Sequence, residues 1–452
     1  MSDVSRIARV EMIPWFSLLL IAAVFFSTIH DVRYTRYFAE RGITGYIVTQ
    51  EEAEQIMTGF EQGQLRNAIA YLILGLFGAA SLGLGARKHL RVKGLSSALV
   101  IFFICWSFLS LFWADNVPST AKKLVILAML CIAIAGVLKR FSDLDILLLT
   151  FFGLGAYVAI GVFSEVALGS FRPWIGGYRF SGTCHPNGQA LDCALLVFAS
   201  WAMYRSDKRR VFLVVGGAAL VLLILTKSRT SVAGALLAFI ALPSLVASRE
   251  KKVALISLGV AVLCLLLLSR DVVLPTLQQG VMMGRTDTDV GHAATLTGRT
   301  DLWNEIVNNY IAKRPLLGYG YNSFWTLDRV ERVTAAVGFI PGNAHCAFLD
   351  VTLSLGIFGL VTYALINLTA IVRTLRHYRA SRHPVFEFFA LLLVFSMMHG
   401  LTESTFLFPS LPTFISMLLL ARLAFQDLPK VPEQAIEQGR GSVPSEKVSV
   451  PA

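Results

Sequence analysis

Apolar runs parted by short polar turns make up most of this chain. Twelve such runs fall at about 13–30, 67–85, 96–113, 119–138, 146–168, 189–204, 211–226, 231–248, 253–269, 346–371, 385–401 and 405–424. Helices of roughly this length cross a hydrocarbon layer of about 30 Å. A single long polar interval, Ser269 to His345, separates the ninth run from the tenth. The pattern predicts an all-α integral membrane protein with about 12 transmembrane helices and one long extramembrane loop at about 270–345. Residues 1–425 then form a polytopic membrane domain. Residues 426–452, rich in Pro, Gly, Ser, Glu and Gln with few aromatics, form a disordered cytoplasmic tail. The first run lacks a small-residue cleavage site close behind it and reads as an uncleaved span.

The basic residues set the orientation. Arg6 and Arg9 precede the first run, and Arg87, Lys88, Arg91 and Lys93 follow the second. Lys139 and Arg140 follow the fourth, and Arg205, Lys208, Arg209 and Arg210 the sixth. Arg249, Lys251 and Lys252 follow the eighth, and Arg373, Arg376, Arg379 and Arg382 the tenth. If twelve spans alternate, all these clusters fall on one side, which places both termini in the cytoplasm. The 31–66 loop, the Gly-rich segment 169–188 and the long loop then face the other way.

Composition supports the membrane reading. The chain is 55% hydrophobic and 15% charged, against about 25% charged in soluble domains. The net charge of +11 is dispersed in short clusters between apolar runs, so no basic domain is left to grip nucleic acid. Cys105, Cys131, Cys193 and Cys264 lie inside runs as small buried thiols. Cys184 and Cys346 lie near the outer face beside His185 and His345, a set too small for a structural metal site. A disulfide between those two is left open by the sequence.

Polar groups at the outer ends of the runs are where chemistry is expected, because such groups are costly in a membrane without a cavity or a partner. Lys227 and Arg229, in Leu225-Thr-Lys-Ser-Arg-Thr-Ser231, are held in a turn too short to wander. They either snorkel to lipid headgroups or, through a planar guanidinium, grip a phosphate. Arg299 begins an amphipathic stretch (Leu302, Trp303, Ile306, Val307, Tyr310, Ile311) expected to lie on the membrane surface. His345 sits where the loop re-enters the membrane, either as a structural residue or to take a proton from a sugar hydroxyl near pH 7. Arg179, His185 and Asn187 belong to an irregular Gly- and Pro-rich turn that either caps a helix or meets a ligand. Lys122 and Lys123 are expected to pair with His399 and Glu403, balancing charge at the outer boundary. Asp287 and Asp289 form an Asp-x-Asp of the kind that binds divalent metal in many sugar transferases, although in a loop it is more simply solvated.

Taken in order, several motifs resemble one family. These are Phe112-Trp-Ala-Asp-Asn-Val-Pro-Ser119, Thr226-Lys-Ser-Arg-Thr230, Gly298-Arg-Thr-Asp-Leu-Trp303, Arg314-Pro-Leu-Leu-Gly-Tyr-Gly320, Asn343-Ala-His345 and Gly356-Ile-Phe-Gly359. The chain is similar to the O-antigen ligase and Wzy-type polymerase superfamily of bacterial membrane glycosyltransferases. That resemblance implies a GT-C-like fold in the inner membrane and an inverting, metal-independent transferase without a cofactor, its active site facing the periplasm. The implied donor is a glycan linked through pyrophosphate to undecaprenol. By motif position Arg229 and Arg299 correspond to two essential arginines, and His345 to an essential histidine. Lys227, Arg179, His185, Asn187, Lys122, Lys123 and Glu403 are assigned to substrate binding. The family usually has Asn after the histidine, where this chain has Cys346.

Within the superfamily, a polymerase passes the glycan to another lipid-linked repeat, and a ligase passes it to lipid A-core. The Leu-Thr-Gly-Arg-Thr-Asp-Leu-Trp run, with Leu-Gly-Tyr-Gly-Tyr-Asn-Ser-Phe-Trp, resembles exopolysaccharide polymerases more than ligases. A flippase and a chain-length regulator are the implied partners. Two readings of other classes stand beside it. One is a transporter of an anion or a lipid-linked glycan, against which count two unlike halves and the clustering of motifs in one loop. The other is a scaffold in an envelope assembly machine.

Overall fold

The computed structural model describes residues 69–83, 90–175, 178–247, 298–404, 407 and 409–428. The expected spans at 13–30 and 253–269, the 31–66 loop, Asp287 and Asp289, and the tail beyond 428 lie outside those residues. Among the described residues every regular element is a helix. In chain order these are α1 (Ile69–Gly83), α2 (Gly94–Leu109), α3 (Val117–Arg140), α4 (Asp143–Ala167), α5 (Pro186–Asp207) and α6 (Arg210–Leu225). They continue with α7 (Arg229–Val246), α8 (Arg299–Asn309), α9 (Leu327–Val337), α10 (Ala347–Ser381), α11 (Pro384–Gly400) and α12 (Leu411–Phe425). Five are long and apolar enough to cross a membrane: α2 with its 3-10 extension to Phe112, α3, α4, α7 and α10. Four more, α1, α6, α11 and α12, are apolar but shorter. The chain is a multi-pass membrane protein.

Local chemistry sets the helix starts. Asn116 accepts the Ser119 N–H at 3.0 Å at the head of α3, and Pro118 occupies its first turn. Ser142 and Asp145 form a reciprocal capping box on α4. The twelfth run was expected from 405, but α12 begins at Leu411, where Ser410 caps it and Pro412 enters its first turn. The connection from α11 to α12 is therefore longer than the runs suggest and includes the turn that carries Glu403.

α11 is buried from Val385 to Phe395 and packs on α5, α7 and α10. A helix that is hydrophobic all round is buried either in protein or in lipid, and α11 is buried in protein. α2, α6 and α7 instead carry exposed apolar residues, among them Phe102, Leu109, Val214, Val221, Leu236 and Ile240. Such surfaces suit lipid and not water.

Residues 298–346 form a cap over one end of the bundle, with a second core of Leu302, Ile306, Tyr319, Phe324, Val333, Ala344 and Leu353. This corrects the expected surface-lying helix. The apolar stripe of α8 is spent on the cap core, since Leu302 and Ile306 are fully buried and only Val307 remains open. The sequence reading missed α9, whose Val333 and Val337 pack into the same core, with Val330 also buried on that helical face.

The cap is fastened to the bundle through a break in α10. Gly356 has φ 65° and ψ −162°, which interrupts the helix nine residues after it begins and frees its carbonyls. The Arg314-to-Gly320 segment crosses that gap. Tyr319 N–H donates to the Leu353 carbonyl at 2.8 Å, Gly320 N–H to Ser354 at 3.0 Å, and the Trp106 indole to Leu355 at 3.0 Å. Ile357 N–H answers with a bond to the Pro315 carbonyl at 2.8 Å. Broken helices within a membrane survive only when freed backbone groups find such partners. A Cβ on Gly356 would lie 2.0 Å from the Leu316 carbonyl oxygen, so the crossing excludes any side chain there. Asp115 reinforces the joint by pairing with Arg314 at 2.5 Å and also with Arg329, both of which lie over the Tyr319 ring.

Candidate active site

Four turns meet under the cap: α2–α3, α4–α5, α6–α7 and α11–α12. Glu403, in the last of these, is the hub. Its backbone N–H is held by the His399 carbonyl at 2.9 Å, and its side chain is 9% exposed. Oε1 accepts from Arg299 Nη2 at 2.6 Å and from Asn187 Nδ2 at 2.8 Å, while Oε2 pairs with His345 Nδ1 at 3.2 Å. Arg299 also donates through Nη1 to the Thr402 carbonyl. Three segments far apart in sequence thus converge on one carboxylate.

The network extends further. Arg179 Nη2 donates to Asn187 Oδ1 at 3.0 Å, and its Nε donates to the Thr226 carbonyl at 2.9 Å. That bond ties the irregular α4–α5 turn to the Thr226–Arg229 turn. On the far side of the latter, Ser228 Oγ lies 3.0 Å from Ser231 Oγ, which lies 3.0 Å from His399 Nε2. Lys227 takes a left-handed φ of 52°, and Arg229 is the first residue of α7; both are partly buried.

A carboxylate this enclosed needs compensation. Burial opposes the charged form of Glu403, but the hydrogen bond from His345 and the positive charge of Arg299 outweigh it and pull the carboxyl down to about 2. Glu403 is therefore ionised at neutral pH and can only accept. That assigns the proton of a neutral His345 ring to Nδ1 and leaves Nε2 as its acceptor nitrogen. The arrangement suits proton abstraction by His345 Nε2, with Glu403 stabilising the imidazolium that forms.

His345 itself has φ 46°, an uncommon conformation for a residue with a side chain. Asn343 Oδ1 accepts its N–H at 2.8 Å in a tight side-chain turn, and the Trp303 indole holds the preceding Ala344 carbonyl at 2.8 Å. On the α4–α5 turn, Glu165 plays an organising part. It accepts from Tyr178 Oη at 2.5 Å, Ser181 N–H at 2.7 Å and Gly182 N–H at 2.8 Å. His185 then caps α5 by accepting the Asn187 N–H at 3.2 Å, so the turn both caps a helix and delivers Asn187 to Glu403.

One expectation changes, and one open question closes. Glu403 takes its cation from Arg299 and not from the lysines; Lys123 instead donates to the Asn322 carbonyl. The reason is that the first turn of α3 packs on the cap segment, with Thr120 Oγ1 donating to Ser323 Oγ at 2.7 Å. Lys122, beside it, is exposed. Cys184 and Cys346 both carry free thiols, and Cys346 contributes its backbone N–H, which donates to Ser404 Oγ at 3.0 Å. The sequence reading also passed over Asp350 and Glu165. Both are acids inside apolar runs, which is itself the signal that could have found them.

Residues 194–364 match the family model described as O-antigen ligase, in agreement with the superfamily recognised from the motifs. The matched stretch contains Arg229, Arg299 and His345, while Arg179, Asn187 and Glu403 lie outside it. No curated protein matches the chain.

Proposed function

With the O-antigen ligase and Wzy-type superfamily as its family, we propose that this protein is an inverting glycosyltransferase of the inner membrane that polymerises undecaprenyl-pyrophosphate-linked repeats of a surface polysaccharide on the periplasmic face. The observation that carries this reading is the convergence of Arg299 and His345 on the buried Glu403, with Arg179 and Asn187 linking that group to the turn before Arg229.

A hydroxyl of the acceptor sugar attacks the anomeric carbon of the donor from the face opposite the pyrophosphate. Its proton passes to His345 Nε2 as the new C–O bond forms. The bond from carbon to pyrophosphate breaks with its electron pair on the leaving oxygen, so the configuration inverts and undecaprenyl pyrophosphate departs. Pyrophosphate leaves without a general acid, and what speeds the step is positive charge aimed at its oxygens. A well-placed donor there supplies about 3–4 kcal/mol. Arg229 is assigned that role, assisted by Lys227. Two of the five N–H donors of Arg299 go to Thr402 and Glu403. Arg299 thus serves the base as well as the phosphate.

Arg229 grips phosphate by a planar fork in this reading, and a lysine keeps only the charge. Arg229→Lys is expected to lower turnover about 10- to 100-fold, the loss of one or two charge-assisted hydrogen bonds. Wild-type turnover in that variant would remove the bidentate role. Because arginines supply the charge, EDTA is expected to leave the rate unchanged; a rate that needs added Mg²⁺ would instead move the chemistry to Asp287 and Asp289.

Polymerase is preferred to ligase on the Leu296–Trp303 and Leu317–Trp325 motifs. The deciding experiment is to identify the glycan that accumulates when the gene is deleted. Single lipid-linked repeats are expected, whereas long polymers left unattached to lipid A-core would make this protein a ligase.

A further inference from the structure

Asp350 lies in the first turn of α10, 3% exposed, and no cation pairs with it among the described residues. An acid so placed is costly unless its lone pairs are all used. Asp350 uses them on three separate segments. Oδ1 accepts the Trp325 indole of the cap at 2.9 Å. Both oxygens accept the Ala344 N–H, at 3.2 and 3.3 Å. Oδ2 accepts the Ser404 hydroxyl, whose oxygen in turn accepts the Cys346 N–H at 3.0 Å. The residues on either side of His345 are therefore both anchored to Asp350, one directly and one through Ser404. Ser404 is the neighbour of Glu403, so one bracket fixes both ends of the His345–Glu403 hydrogen bond. Between those two anchors His345 takes its left-handed φ of 46°.

We propose that Asp350 and Ser404 are positioning residues for glycosyl transfer, acting through His345 by keeping its imidazole in register with Glu403. The inference rests on the reading of His345 as the proton acceptor. Trp325 makes the bracket a link from the cap as well, so a displaced cap would misplace the base. Misplacing a reacting group by about 1 Å costs on the order of 10²-fold in rate.

The test uses purified full-length protein with a lipid-diphosphate-linked glycan, comparing Asp350→Asn, Ser404→Ala and Ser404→Thr. Asp350→Asn and Ser404→Ala are expected to lower kcat about 10²-fold with the donor KM within about twofold of wild type. Ser404→Thr, which keeps the hydroxyl, is expected to restore most of the rate. Neither loss should add to that of His345→Ala, because residues acting through one group are not additive. A second readout does not depend on turnover: the ¹⁵N resonance of His345 Nδ1, assigned by its disappearance in His345→Ala, should shift in Ser404→Ala. If Asp350→Asn does not fold, Ser404→Ala alone carries the test. Wild-type kcat with an unmoved resonance, or a loss that multiplies with His345→Ala, overturns the proposal while leaving the transferase reading intact. A shifted resonance in a protein that forms no glycosidic bond supports the bracket and overturns the transferase reading.

Discussion

His345→Ala lowers glycosyl transfer by about 10²–10⁴-fold, the range that one positioned general base contributes. The expectation follows from the hydrogen bond to Glu403. Because the carboxylate is ionised and can only accept, it fixes the proton on Nδ1 and turns Nε2 into the group that receives the acceptor's proton. Removing the ring leaves Glu403 paired with Arg299 and Asn187, so the fold should persist. Initial rates with lipid-linked glycan, beside a melting curve in detergent, check both halves. A variant that melts like wild type and turns over like wild type would leave His345 with a structural role only, as a scaffold protein would have it.

Glu403→Gln is expected to lose a similar factor for a different reason. The shape of the side chain is kept, but its amide can donate to His345 Nδ1, which moves the ring proton to Nε2 and removes the base. Substitution of the orienting carboxylate in catalytic triads gives losses of about 10⁴-fold by that route. The same change strips the buried Arg299 of its counter-ion, so some stability should go with the activity. The pH dependence separates the two effects. The Glu403 carboxyl is held below its usual 4.5, at about 2, so its pairing stabilises the wild type fully above about pH 4.5 and is lost as pH falls through about 2. Wild-type stability should therefore decline across that window and the decline should be smaller in Glu403→Gln. Equal acid profiles would mean that Glu403 is not the ionised partner of Arg299 and His345.

Several parts of this architecture are readable from the residues alone. The apolar runs gave α2, α3, α4 and α7 nearly to their ends, because helices of that length and hydropathy have few other fates. Arg299 and His345 stood out as charged or titratable groups at polar–apolar boundaries, and both reach the same carboxylate in the fold. The partner of Glu403 was not readable. Lys122 and Lys123 sit at the right height for it, and height along a span is all that hydropathy reports. Which faces meet is decided by packing, and α3 spends its first turn on the cap through Thr120 and Ser323. The cap core was hidden for a related reason. Leu302 and Ile306 form an amphipathic stripe that would serve equally well against lipid or protein, and what settles the choice is the rest of the cap core, Tyr319, Phe324, Val333, Ala344 and Leu353. The break at Gly356 shows how a short motif gains meaning in three dimensions. Arg314-Pro-Leu-Leu-Gly-Tyr-Gly320 looks like a loop signal, yet its backbone completes the hydrogen bonds of a helix about 40 residues later.

The most direct measurement is the product of purified protein in detergent given only an undecaprenyl-pyrophosphate-linked repeat, read by mass spectrometry and by the anomeric signals of the new linkage. The account predicts oligomers of the repeat joined by glycosidic bonds of inverted configuration, formed without any membrane gradient, together with free undecaprenyl pyrophosphate. Donor returned unchanged by a folded protein, or product with retained configuration, would contradict it.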